Sequence, residues 1–366
     1  MTEPGPAAAR HRVRDLGLEP GSRRPGPLNA ITDVAGVRVG HATLNFGESV
    51  RTGITAVVPD QVDRAGGELA AGLFVGNGFG KLIGATQLVE LGVIETPIVL
   101  TGTLSAFRAA DALVSYMLAR PGNENLRSVN PVVGETNDGF LSDIRSRPVT
   151  PEHVLAALAG ARSGPVAQGC VGAGAGTAAL GFKAGIGTAS RQVPLPDGDG
   201  GVVGALVQSN FSGTLTVRGI RIDAWRALRA TAAATAVGTG TSTGTGQSSE
   251  PRPDGNSAMI IVATDLALDA RQLGRVAKRA VFALGGTGSD FAPGSGDYAI
   301  AFATGAAGPL ADAALGPVFG ATAEAVTEAI LDSLFLARTT TGYRGHVRHA
   351  VPADYVLATC QAAGVA

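Results

Sequence analysis

The chain has 366 residues, is 45% hydrophobic, and carries 29 basic against 30 acidic side chains. So balanced a charge offers no electrostatic attraction for nucleic acid or an anionic membrane. Two cysteines, Cys170 and Cys360, are too few for a disulfide framework and read as free thiols of a reducing compartment. The polar, Pro-rich start lacks an apolar signal core, and no run approaches the length of a membrane span, so a cytoplasmic protein is expected.

Taken in order, residues 1–26 read as a loosely held N-terminal arm, and residues 27–366 as a single α/β domain. "AITDVAGVRVGHATL" alternates and is β-branched, which predicts a hairpin with Gly36 and Gly40 as turn or bulge points. "GITAVVP", "AAGLFVGNG" and "ETPIVLTGT" predict buried strands, and "LSAFRAADALVSYMLAR" a helix. Thr150 and Pro151 form a helix start before "EHVLAALAGAR". The glycine-dense 169–191 region predicts strands and tight turns, and "GVVGALVQSNF" a strand. A short helix is expected near 225–234, then a Thr/Gly/Ser tract that acts as a flexible linker over 235–256. "SAMIIVAT" follows as a strand. An amphipathic helix then turns Leu273, Val276, Ala277, Ala280 and Val281 inward. A strand "DYAIAFAT" and helices over about 320–338 and 353–363 finish the chain.

Several motifs fail on context. "GTSTG" places Ser242 in a G-x-S-x-G pattern, but without the strand before it and helix after it that a nucleophile elbow needs. "GNGFGK" and "GAGAG" match no nucleotide-binding fingerprint. The five histidines offer no metal-ligand spacing, so neither a metal nor a cofactor is expected.

The junction "PDGNSAMIIVATD" poses the functional question. On spacing alone it is either a loop feeding a buried strand or a self-cleavage site between Asn256 and Ser257. A serine hydroxyl needs a base beside it, and no histidine–carboxylate pair accompanies a serine in this sequence. Cleavage would supply one: the freed α-amine of Ser257 titrates at roughly 7.7–8, as in enzymes with an N-terminal nucleophile.

"GPLNAITDVAGVRVGHATL", "VVGETNDGFLSDI", "GFKAGIGTASR", "VGALVQSNF", "GNSAMIIVATD" and "GSGDYAIAF" occur in this order and span nearly everything from Gly26 on except the linker. This set resembles the L-aminopeptidase/D-esterase (DmpA-type) and β-peptidyl aminopeptidase family of self-processing N-terminal-nucleophile-like hydrolases. The resemblance implies a four-layer α/β/β/α sandwich, cleavage at Asn256–Ser257 into 1–256 and 257–366, and homotetramers acting on small peptides or aminoacyl amides. It makes Ser257 the nucleophile, Ser295 and Asp297 the pair that orients its amine, and Asn210 an oxyanion donor. Glu135 would read the substrate's ammonium, with Phe140, Asn77 and Gly78 lining the pocket. Two positions depart from the family: Asp297 where Glu is common, and Phe140 where Tyr occurs. An amidase of ω-amino-acid oligomers, an acyltransferase of the same fold and an uncleaved binding protein are the alternatives.

Overall fold

The computed structural model describes residues 10–195, 198–239, 257–306 and 309–366. In chain order the elements are β1 (Val37–Phe46), β2 (Val50–Pro59), β3 (Leu69–Gly78), α1 (Ala85–Glu90), β4 (Val93–Ile94), β5 (Ile98–Gly102), α2 (Ala106–Leu118), β6 (Val132–Thr136) and α3 (Pro151–Ala159). They continue with β7 (Ala178–Ala179), β8 (Phe182–Lys183), β9 (Ile186–Leu195), β10 (Gly198–Asn210), β11 (Leu215–Val217), β12 (Ile220–Ile222) and α4 (Ala224–Thr239). After these come β13 (Ser257–Thr264), α5 (Ala270–Thr287), β14 (Gly296–Ala303), α6 (Leu315–Phe335) and α7 (Ala353–Ala362).

Two sheets stack face to face, one ordered β1-β2-β5-β6 and the other β4-β3-β14-β13-β10-β9. Strand alternation sorts their side chains into three apolar layers. From β13, Met259 and Ile261 meet Ile98, Leu100 and Val132 between the sheets. Ile260 and Val262 point the other way, onto α5 and α6. The outer face of the first sheet is covered by α2 and α3 through Ala109, Leu113, Val154 and Leu158. The result is the expected α/β/β/α sandwich. It explains why "SAMIIVAT" shows no alternation: every residue of β13 is buried, half on each face.

Glycine permits the close layering. A Cβ at Gly187 of β9 would lie 1.8 Å from the Ala329 carbonyl of α6, and one at Gly72 of β3 2.2 Å from the Gly274 nitrogen of α5. The same requirement corrects the predicted hairpin. Gly40 is not a turn but lies inside β1, where a Cβ would meet the Ala157 carbonyl of α3 at 2.0 Å. The chain reverses after Phe46 and pairs β1 with β2.

The N-terminal segment is not loose from Arg10 onward. Val13 and Leu18 are fully buried. Arg12 pairs with Asp332 at 2.6 Å, Arg14 with Glu328 at 2.8 Å, and Arg23 with Glu324. Carboxylates buried on α6 are costly unless paired, and this segment supplies the cations. The helix expected near 225–234 runs on to Thr239, while residues 240–256, with Ser242, Gly255 and Asn256, lie outside the described residues. No helix among the described residues is long and apolar enough to cross a membrane.

Candidate active site

Ser257 is the first residue of β13 and is 4% exposed. Across one edge of that strand it pairs with Asn210, the last residue of β10; across the other it pairs with Gly296, the first of β14. Neighbouring strands lie about 4.8 Å apart, so both partners flank Ser257 directly. By alternation with Met259 and Ile261, the Ser257 side chain belongs to the face between the sheets, as does Asn210 with Leu206.

The amide of Asn210 has a determined orientation. Its Oδ1 accepts the Ala178 N–H at 3.0 Å, and its Nδ2 donates to the Asn137 carbonyl at 3.0 Å. A backbone N–H only donates and a carbonyl only accepts, so the reversed amide would lose both bonds. Such an amide can present N–H to a developing oxyanion without titrating.

On the opposite side of β14, Asp297 faces α5, since a Cβ on Gly76 would touch both it and Val281. Its Oδ1 accepts the Ser295 hydroxyl at 2.7 Å and its Oδ2 the Asn77 amide at 3.2 Å. The Ala258 N–H also bonds this carboxylate, one residue along from the nitrogen that cleavage would free. Burial pushes the Asp297 carboxyl above its ordinary range, opposed by those three donors. Asn210 and Asp297 thus flank the start of β13 from different faces of the sheet. Asn77 was expected to line a pocket; its amide also donates to the Phe291 carbonyl at 3.1 Å and braces Asp297. Gly78 pairs with Gly296, one strand beyond Ser257.

Glu135 lies on β6, an outer strand of the other sheet, and is 2% exposed. One oxygen accepts the Lys81 N–H at 2.8 Å, the other the Thr103 hydroxyl. A Cβ at Gly80 would meet Glu135 Oε1 at 3.2 Å and the Gly296 Cα at 3.0 Å. Glu135 and the Gly296 end of the Ser257 ladder therefore both lie against that glycine. Tyr298 closes the same corner by donating to the Gly80 carbonyl at 2.9 Å. Burial, then the nearby Glu135 and Asp297, push its phenol up.

Phe140 is placed differently from the other candidates. Its ring stacks on His346 with centroids 4.4 Å apart, and the Arg348 guanidinium lies 3.8 Å from its centroid. It belongs to a turn packed against the 343–348 segment, five residues on from Glu135. Sequence reasoning missed Asn137, Ala178 and Thr103, which act through backbone groups or a hydroxyl with no motif of their own. It also passed over Asp138 and Lys183, although a lysine amid "AALGFKAGIG" was a visible anomaly.

Comparison with known proteins identifies the family and the fold. Residues 29–348 match the model of Peptidase family S58. The chain is 38% identical to the beta-peptidyl aminopeptidase BapA of Sphingosinicella microcystinivorans, covering 93% of this chain and 89% of that protein. The structure of a Burkholderia sp. beta-aminopeptidase superposes with TM-score 0.84 at 35% identity, covering 97% of this chain and 99% of the other. The l-aminopeptidase d-ala-esterase/amidase of Ochrobactrum anthropi, described as a variant of the Ntn hydrolase fold, superposes with TM-score 0.84 at 32% identity. That match covers 96% and 99% of the two chains.

Proposed function

This chain belongs to peptidase family S58 as an N-terminal-nucleophile aminopeptidase, and we propose that within it the chain is a self-processing serine enzyme with Ser257 as nucleophile. The observation that carries the reading is the ladder position of Ser257, between Asn210 on β10 and the Gly296–Asp297 start of β14.

In processing, Ser257 Oγ attacks the Asn256 carbonyl carbon. The C–N bond breaks as the nitrogen takes up the hydroxyl proton, leaving an ester. Water hydrolyses that ester to an Asn256 carboxylate and a Ser257 with a free α-amine. The amine then serves as general base, oriented from the Asp297 and Ser295 side. Aspartate is one methylene shorter than the glutamate common at this position, and Asn77 and Ser295 hold its two oxygens towards the start of β13.

In turnover, Ser257 attacks the carbonyl of an N-terminal aminoacyl amide, peptide or ester, and the Asn210 amide stabilises the oxyanion. Glu135 receives the substrate ammonium, exchanging its bonds to Lys81 N–H and Thr103 for a charge-assisted one. A β-aminoacyl substrate is the first choice, in keeping with the names of the relatives, and a cytoplasmic homotetramer of processed protomers is the expected form.

A denaturing gel with N-terminal sequencing tests the reading. Two fragments, the smaller beginning Ser-Ala-Met, are expected. A single uncut chain, inert on both β- and α-aminoacyl p-nitroanilides, would overturn it. Light scattering checks the tetramer.

A further inference from the structure

The turn after β6 and the β7–β8 hairpin both end on the amide of Asn210. From the turn comes the carbonyl of Asn137, accepting Nδ2. From the hairpin comes the N–H of Ala178, donating to Oδ1. Each segment is short, and each is tied down by a buried ionisable side chain for which the catalytic steps above have no use.

Asp138 follows Asn137 directly and is 1% exposed. Its carbonyl accepts the N–H groups of Leu141 and Ser142, so it heads the turn. Its carboxyl is hydrogen-bonded by Thr52 of β2, while Oδ2 is buried without a hydrogen-bond partner. It also packs onto Gly102 so closely that a Cβ there would lie 2.7 Å from Oδ2. Lys183 is fully buried and sits opposite Ala178 in the hairpin. Its Nζ donates to the Gly174 carbonyl at 3.1 Å and to the Ala184 carbonyl, fastening the segment that leads into Ala178. The hairpin turns at Leu180 and Gly181, with φ of 54° and 84°. Two positive φ values define a type I′ turn, which is strained for a leucine. A backbone so held needs anchors, and the Leu180 N–H adds one by bonding the Phe211 carbonyl beside Asn210.

We infer that Asp138 and Lys183 are positioning residues that hold the two backbone partners of Asn210, and thereby aim its amide at the reacting carbonyl. Lys183 is attracted first to Cys170 and then to Asp138. This clamp rests on the assignment of Asn210 as oxyanion donor. Misplacing such a donor by a fraction of an ångström leaves substrate binding alone and lowers the chemical step, on the order of ten- to a hundredfold.

The test is a double-mutant cycle on a β-aminoacyl p-nitroanilide, with rates expressed per processed protomer carrying the Ser-Ala-Met terminus. Asp138→Ala and Lys183→Met should each lower kcat at least about tenfold with KM within about twofold, whereas Asp138→Asn should retain most of kcat. In the Asn210→Ala background, Asp138→Ala should cost nothing further. An unchanged kcat in Asp138→Ala, or its full factor recurring on top of Asn210→Ala, overturns the inference while leaving the oxyanion assignment intact. Full kcat in Asn210→Ala itself would strike that assignment and the clamp with it. If Asp138→Ala does not fold, Thr52→Val, which removes the hydroxyl donor of Asp138, runs through the same cycle under the same criteria.

Discussion

On α6, Glu328 and Asp332 are paired with guanidinium groups; at the candidate site, Glu135 and Asp297 are held by uncharged donors. Glu328 takes Arg14, Arg191 and the Asn29 amide, and Asp332 takes Arg12 and the Val13 N–H. Burial pushes Glu328 up, and Arg14 and Arg191 outweigh it, leaving the carboxyl below its ordinary range, whereas at Asp332 burial outweighs its single guanidinium, Arg12, and pushes the carboxyl up to about 6. Glu135 has only an N–H and a hydroxyl, and Asp297 a hydroxyl, an amide and an N–H. A carboxylate cancelled by arginine has no charge left to attract another cation. One held by neutral donors is only partly compensated for its burial and keeps its field for an ammonium. The first kind fastens a segment; the second is suited to recognition and proton transfer.

That contrast can be broken most sharply at Ser257. Ser257→Ala should abolish both processing and turnover, read on a gel and with an aminoacyl p-nitroanilide; a cleaved variant would remove Ser257 from its role. Next comes Glu135→Gln, which keeps shape and hydrogen-bonding but loses the charge. It should lower kcat/KM for substrates with a free amine by about a hundredfold, the value of a charge-assisted bond of roughly 3 kcal/mol. Its melting temperature should stay near that of the parent. If the variant discriminates no less against N-acetylated substrate, Glu135 does not read the ammonium.

The arginine-paired set should answer in the opposite way. Arg191→Met removes the fully buried cation from Glu328, leaving it Arg14 and the Asn29 amide, and should cost about 3 kcal/mol in denaturant unfolding. The kcat/KM per folded molecule should hold; a selective loss of activity would erase the division between the two sets.

The smallest effect concerns Asp138, whose carboxyl burial pushes up to about 7 from an ordinary 3.8. A carboxyl raised in the folded state contributes stability below its unfolded pKa and loses it as pH rises through the folded value. Wild-type stability should therefore carry a falling component between about pH 4 and 7, absent in Asp138→Asn. Relative to wild type, the variant should gain about 2 kcal/mol between pH 5 and pH 7.5. A difference independent of pH would show that this carboxyl does not titrate there.

Much of the framework was legible in the chain. Asp269 caps α5 by accepting the Gln272 N–H at 2.7 Å, and the residues expected to face inward do so. Pro151 opens α3. These are local matters of capping and period, decided within a few residues. Gly40 was misread because the carbonyl that requires a glycine there belongs to α3. From Arg10 on the arm was misread because the acids that hold it lie on α6.

The site divides along the same line. By itself the sequence determined which residue types were available: a serine opening an apolar run, an Asn ending another, and the Ser–Gly–Asp and Glu–Thr–Asn–Asp pieces. Tertiary structure alone decided that Asn210 stands opposite Ser257, that Asp297 approaches from the other face, and that Phe140 turns to His346 and Arg348. The physical reason is that a strand's residue types follow from its own chemistry, whereas its neighbours and register follow from layers brought together over long separations in the chain.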